Sequence, residues 1–520
     1  MSPSEGSSRT VSKPMRFGAL VLILLAAHTA TGLFFLLDRA PGTWAALVGF
    51  PLDDSWIHMV YARSFAALRG FEYNPGQPEA GLSSPLWAVA LLPASCMARW
   101  FGISVVLPAK VAGILAAVAA SLAACRLVRG LGFGRVAQLA AGLILAADPT
   151  LTFAKLSGME VALATAVALW TVSELVHGDH RWVALGAGFA PLARPELIVL
   201  SLLVLVSLQW RLHQQHAPLR RRLAFLAPVV VLVGLWTLYC LLLTGHPLPN
   251  TFYAKFASGS HRLIANLEGI FVQLFPSYPW FTHGTGFLLW GLGAVLLFRR
   301  GWLAGLTVVV FPLVFLLAVA ASRNLSQPSA FYWQRYLLPS LPFVLVTIAV
   351  GGAGVVTWTW QKRWRAWGLA YPVATALLIV GTVAAWPGAL RRNADLFAWN
   401  CQNIEELNVA VARWLRDHVP LGESIGVVDA GAARYFSEHR TLDVIGLNHH
   451  GILHQEREAL AELERVRFMS GPLAWYPTVH ISAWRTVHRV ATNNYTICRC
   501  NQSEMLVYHR DPEPDPPSEQ

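Results

Sequence analysis

Charged residues are scarce in this sequence. Asp, Glu, Lys and Arg together make up 13% of its 520 residues, about half the share of an ordinary soluble domain. With 55% hydrophobic residues and a mean hydropathy of +0.46, that scarcity argues against a water-soluble globular protein and for a chain that crosses a membrane several times. No glycine-rich nucleotide loop, Walker sequence or internal repeat is present, which removes the nucleotide-binding and solenoid classes. The start of the sequence is not expected to be a cleavable leader. The first apolar run, Phe17 to Leu37, exceeds the ~7 to 15 residues of a signal-peptide core and has no convincing small-residue cleavage site. It reads as a retained helix with its N-terminus in the cytoplasm.

The basic residues show how the chain is threaded. A net charge of +11 would suit nucleic acid only if it formed one face, and here it is broken into short clusters between apolar runs. These are Arg9, Lys13 and Arg16; Arg126, Arg129 and Arg135; Arg211 and Arg220 to Arg222; Arg299 and Arg300; and Lys362, Arg363 and Arg365. Such spacing is the positive-inside pattern of short cytoplasmic loops. Placing every cluster on one side yields about eleven transmembrane segments: 17–37, 104–125, 136–151, 159–177, 182–193, 196–211, 222–243, 285–298, 302–321, 336–357 and 367–386. The expected fold is an all-α polytopic bundle over 1–386, with a C-terminal soluble α/β domain over 387–520 outside the membrane.

In that topology residues 38–103 form a large first external loop. Ser84 to Trp100 is apolar, but a span there would move the 126–135 arginines outside, so an interfacial or re-entrant segment is expected. Ile57, Val60, Tyr61, Phe65 and Leu68 recur at helical spacing, which predicts a short amphipathic helix on the membrane surface. Asp53 and Asp54 stand at its start, where one of them can serve as N-cap. The C-terminal region carries the helical run "NIEELNVAVARWLRDHV" and the strand-like runs "SIGVVDA", "RTLDVIGL", "TVHISAW" and "EMLVYHR". Asp429 and Asp443 fall in these runs with core or cap roles. Cysteines number six, and outside the membrane Cys401 is expected to bridge to Cys498 or Cys500. The tail "DPEPDPPSEQ" reads as disordered.

A charge near hydrocarbon is costly, so each one is a functional hypothesis. The external ends collect Asp53, Asp54, Lys155, Glu160, Lys255 and Arg335. Arg194-Pro195-Glu196 interrupts one apolar run with a helix break that faces polar space; a tight turn with its own ion pair is the plainer alternative. Arg335, among Tyr332, Trp333 and Tyr336, suits a phosphate better than simple snorkelling does. Asn250 and Tyr253, in "HPLPNTFYAK", form either a rigid turn or a wall of a sugar pocket. Glu160 either opens a helix favourably or touches the sugar. His58 reads as a polar residue of the surface helix and not as a metal ligand.

Together these groups suit a substrate that arrives through lipid with an anionic head, such as a polyprenyl-phosphate-linked sugar. Arg335 and Lys255 would hold the phosphate. Asp53 would act as general base on an acceptor hydroxyl, and Asp54 would orient the acceptor or hold a divalent cation. Attack opposite the phosphate inverts the anomeric carbon. A transporter or flippase of lipid-linked sugars, or a non-catalytic envelope-assembly protein, is the alternative.

The block "DDSWIHMVYARSFAALRGFEYNPGQPEAGLSSPLW" resembles the first-loop signature of the membrane-embedded C-type (GT-C) glycosyltransferases. The resemblance is to the bacterial branch that includes the mycobacterial terminal arabinofuranosyltransferase. "LSGMEVAL", "LARPEL", "HPLPNTFYAK", "YWQRYLLP" and "RTLDVIGLNHH" resemble its later blocks in the same order, with departures at Ala80 and Met159. That likeness implies a GT-C bundle in a bacterial plasma membrane and an inverting transferase of envelope biogenesis. It further implies a periplasmic C-terminal domain, a glycan or lipid acceptor, and Asp53 as base.

Overall fold

The computed structural model describes residues 17–256, 262–325, 327–358, 370–471, 484–498 and 503–510. The basic clusters at 9–16 and 362–365, most of "TVHISAW", Cys500 and the C-terminal tail lie outside the described residues.

Each apolar segment read from the sequence is helical. Seven described helices are long and apolar enough to cross a membrane: Phe17–Leu36, Val106–Gly130, Pro195–Gln214, Leu219–Thr244, Trp302–Ser322, Leu338–Thr357 and the run Val373–His418. Arg135–Ala147 and Pro149–Leu156, bent by 61°, make an eighth if taken as one span. The bend follows from the sequence, because Pro149 disfavours helix at Asp148. Asp148 is extended, and its carboxylate caps the second piece through Leu151 N. Val161–His177, His180–Ala193 and Thr285–Arg300 are shorter than a full span, so the expected eleven reduce to seven or eight helices of spanning length. Apolar side chains such as Leu235 and Leu242 lie on the outer surface of the bundle, as contact with lipid requires. The chain is a multi-pass membrane protein.

Glycines set the closest approach inside the bundle. A Cβ on Gly293 would lie 1.9 Å from the Thr347 carbonyl oxygen, and one on Gly351 would lie 2.0 Å from that of Leu289. Thr285–Arg300 and Leu341–Trp358 therefore touch backbone to backbone.

The composition change near residue 386 falls inside a helical run. Ala370–Val383 gives way after a short turn to Trp386–Ile404, and Ala410–His418 follows. Beyond it lies a five-stranded sheet built from β3 (Ile425–Val427), β4 (Thr441–Asp443), β5 (Phe468–Ser470), β6 (Arg485–Ala491) and β7 (Glu504–His509), in the order β4-β3-β5-β7-β6. β3 runs parallel to β4 and β5, whereas β7 is antiparallel to β5 and β6. Three of the expected strand runs supply β3, β4 and β7; β5 and β6 were not foreseen.

Two expectations about the first loop and its surroundings change. Asp54–Ala66 is not a surface helix: residues from Ser55 to Ala62 are buried on every face. Trp56 packs against Tyr435 and Phe436, with ring centroids 4.8 and 4.6 Å apart, so the C-terminal unit covers the side bearing Trp56, while His58 faces Glu160 of the bundle. Cys401 is a free, buried thiol and Cys498 is disulfide-bonded. The Cys401 sulfur lies 3.7 Å from the Gly49 carbonyl oxygen in the first loop, so the expected bridge from Cys401 is not formed. The segment 84–100 forms two short helices, Pro85–Ala90 and Leu92–Phe101, neither long enough to span. A small hairpin, β1 (Glu72–Asn74) and β2 (Gln77–Pro78), completes the loop.

Candidate functional site

The two aspartates part company at the start of their helix. Asp53 occupies the N-cap position of Asp54–Ala66 but makes no capping bond to it. Its Oδ2 instead accepts from Gly431 N at 2.7 Å and its Oδ1 from Ala432 N at 2.8 Å, closing the start of Ala432–Ser437 in the C-terminal unit. Only glycine fits at 431, because a Cβ there would meet the Asp53 carbonyl oxygen at 2.0 Å. Burial and the nearby Asp429 carboxylate raise the Asp53 pKa, against the two backbone donors that lower it. Asp429 is itself pushed up to about 6 by burial.

Asp54 points the other way, into an open cavity that His58, Glu160, Arg194, Lys255 and Arg335 also line. Its Oδ2 lies 2.5 Å from Arg335 Nη2 and 4.0 Å from Lys255 Nζ. Burial would raise this carboxyl, but Arg335 and then Lys255 outweigh it and hold it below the usual range. The Arg335 guanidinium lies 4.5 Å from the Tyr332 ring and 5.2 Å from that of Tyr336. Trp333 packs edge-on against Tyr332 and does not line the cavity.

A chain of buried charges forms the opposite wall. His58 Nε2 lies 3.3 Å from Glu160, which lies 2.5 Å from Arg194; Arg194 reaches Glu196 at 3.3 Å, and Glu196 reaches Arg323 at 3.0 Å. The helix break places this chain. Arg194 is extended between His180–Ala193 and the turn Pro195–Leu197, which turns its guanidinium inward. Glu160 stands at the first residue before Val161–His177, yet its carboxylate serves Arg194 and His58.

Asn250 and Tyr253 flank Thr251 and Phe252, which line the cavity, but do not line it themselves. Asn250 Nδ2 donates to Glu79 at 3.2 Å and its backbone N to the Ala80 carbonyl at 3.0 Å. Tyr253 packs against His246 and His454. Leu447 of the C-terminal unit also lines the cavity, held in place by Asp443, which caps Ile445, Gly446 and Asn448.

The structure thus brings together Asp54, His58, Glu160, Arg194, Glu196, Lys255 and Arg335 around one cavity, and keeps Asp53, Asn250, Tyr253, Tyr332 and Trp333 out of its lining. The sequence reading passed over Arg323 and Thr251 and gave Tyr336 no role. Arg323 was detectable by the rule that found Lys255, a cation just beyond the end of an apolar helix. Arg335 Nε, Arg323 Nη1, Thr251 Oγ1 and His58 Nδ1 are buried without hydrogen-bond partners, so the cavity offers donors to a polar ligand. Among the described residues no group of three or more His, Cys, Asp or Glu side chains suits a metal ion. The cations nearest the Asp54 carboxylate are Arg335 and Lys255.

A helical membrane bundle, a large first loop bearing an acid, and an α/β unit packed against that loop define the GT-C class of fold, and solved structures bear this out. ArnT from Cupriavidus metallidurans bound to undecaprenyl phosphate is similar with a TM-score of 0.59 at 14% identity, over 95% of this chain and 98% of that one. Its apo state gives 0.57 at 15% identity over 94% and 98%. The Archaeoglobus fulgidus oligosaccharyltransferase tethered to an acceptor peptide gives 0.54 at 11% identity over 88% and 69%. Residues 400–508 match a family model described as a domain of unknown function (DUF8728). No curated protein matches the sequence.

Proposed function

We propose that this chain is an inverting glycosyltransferase that moves a sugar from a polyprenyl-phosphate donor to a glycan or lipid hydroxyl on the extracytoplasmic face of a bacterial plasma membrane. The observation that carries this reading is one carboxylate, Asp54, set beside two cations, Arg335 and Lys255, in a cavity that Leu447 of the C-terminal unit also lines. The fold shared with ArnT, solved with undecaprenyl phosphate, supports a lipid-phosphate ligand.

In this mechanism Arg335 and Lys255 bind the donor phosphate, and Glu160, Arg194 and Glu196 hold the sugar. The acceptor oxygen attacks the anomeric carbon from the side opposite the phosphate. As the new carbon–oxygen bond forms, the bond to phosphate breaks and the acceptor proton passes to a carboxylate. The cations stabilise the charge that grows on the departing lipid phosphate. The pair exchanges its expected roles here: Asp54 is the base because it opens on the cavity, and Asp53 positions the C-terminal unit. The sugar transferred is a hexosyl or pentosyl group. A flippase is disfavoured because the charges gather at one end of the bundle instead of near its middle.

The test is transfer from defined polyprenyl-phosphate sugars by the protein in liposomes. Asp54→Asn should lose about 10²- to 10⁴-fold of the rate while remaining folded, and the product should carry the inverted anomer. Retained transfer in that variant, or a retained anomer, refutes the reading. Mass spectrometry of envelope glycans and accumulated lipid-linked sugars in a deletion strain identifies the sugar.

A further inference from the structure

The phosphate-binding cations of the cavity already hold an anion. Arg335 is only 2% exposed, and its Nη2 and the Lys255 ammonium both face a single oxygen, Asp54 Oδ2, at 2.5 and 4.0 Å. The other two arginines are tied elsewhere, Arg194 to Glu160 and Glu196, and Arg323 to Glu196. Asp54 therefore sits where a phosphate oxygen would sit. To a guanidinium the two are equivalent acceptors, and the phosphate offers more oxygens. The carboxylate leaves part of the donor set unused: Arg335 Nε and Arg323 Nη1 have no hydrogen-bond partner, and the Tyr336 hydroxyl stands 3.4 Å from Arg335 Nη2. Asp54 can also leave cheaply. It is the first residue of its helix, its side chain is 22% exposed, and a change of rotamer moves it without moving the helix.

We propose that Asp54 is an internal stand-in for the donor phosphate: it occupies Arg335 and Lys255 in the empty site, and the arriving lipid-linked phosphate displaces it toward the acceptor hydroxyl. The proposal rests on the transferase reading and adds an order of events to it. A carboxylate tied to two cations is a poor proton acceptor, and one released from them is an ordinary base. The base becomes available only once the donor is in place. After transfer, Asp54 sheds its proton, competes again for Arg335, and helps the lipid phosphate leave. The cost is affinity, because every phosphate that binds must first break the internal pair.

The exchange makes a prediction opposite to that for an acid that merely supports the site. In nanodiscs, Asp54→Asn should bind undecaprenyl phosphate about fivefold or more tightly than the parent protein, while Arg335→Gln should lose that binding. Unchanged or weaker binding by Asp54→Asn overturns the exchange, yet leaves the transferase reading standing if turnover is lost. Turnover that persists in Asp54→Asn instead overturns the role of Asp54 as base. Inorganic phosphate gives a second readout. Asp54→Asn leaves a buried guanidinium without its counter-ion, so its melting temperature should drop in phosphate-free buffer and recover in phosphate, with a smaller response in the parent protein. Failure of phosphate to restore a folded Asp54→Asn protein overturns the exchange as well.

Discussion

Replacing Asp53 with asparagine separates anchoring from chemistry. The Asp53 carboxylate accepts two backbone N–H bonds, at 2.7 and 2.8 Å, from Gly431 and Ala432. An asparagine oxygen can keep one of them, while its amide nitrogen turns a donor toward the other. One charge-assisted bond is lost, worth about 1.5 to 3 kcal/mol. At 1.4 kcal/mol per factor of ten, docking of Ala432–Ser437 onto the first loop should weaken about 10- to 100-fold. Hydrogen exchange reads this directly: amides of β3 and of Ala432–Ser437 should exchange faster by that factor, while those of Val106–Gly130 keep their protection. Trp56, wedged against Tyr435 and Phe436, should report the same loosening by fluorescence. Transfer should fall only as far as docking does. If Asp53→Asn leaves exchange untouched and abolishes transfer, Asp53 is the base and the assignment to Asp54 is wrong.

Two further predictions probe the scaffold. His450 Nδ1 lies 3.0 Å from Glu79, and this hydrogen bond raises its pKa above 6.5. The stabilisation is therefore complete below pH 6.5 and is lost as pH rises through the raised folded value; His449 and His454, lowered by burial, act in the opposite sense on the acid side. Melting should decline on the alkaline side more steeply in the parent protein than in His450→Gln, and parallel curves would refute the latch. Gly293→Ala pushes a methyl against the Thr347 carbonyl and should cost about 1 to 3 kcal/mol. Gly291→Ala, on the same helix with nothing within 4 Å, should be neutral or stabilising. Equal melting of the two variants would mean that this helix contact is not tight.

The bundle was legible because a chain so poor in charge must sort its apolar segments by length and its arginines by side. The eleven segments are helices, but Val161–His177, His180–Ala193 and Thr285–Arg300 fall short of spanning length, a distinction that hydropathy blurs. The acids and cations of the cavity were legible for the same reason of cost, and Arg323 would have been under the same rule. The helix at Asp54–Ala66 misled, since its pattern of alternating faces suits a membrane surface. Its Trp56 face is in fact covered by Tyr435 and Phe436, which lie more than three hundred residues away in sequence, and its His58 meets Glu160 of the bundle. Cys401 misled similarly, because which face of Trp386–Ile404 it occupies decides whether it can meet a partner.

By itself the sequence determined that this is a multi-pass bundle with an acidic pair, scattered cations at one end and an α/β unit beyond, because hydrophobic length and the price of a charge in lipid are local quantities. Only the tertiary structure decided which aspartate faces the cavity. Successive helical residues point about 100° apart, so the choice between Asp53 and Asp54 belongs to what packs on each side: the backbone of Gly431 and Ala432 on one, the guanidinium of Arg335 on the other.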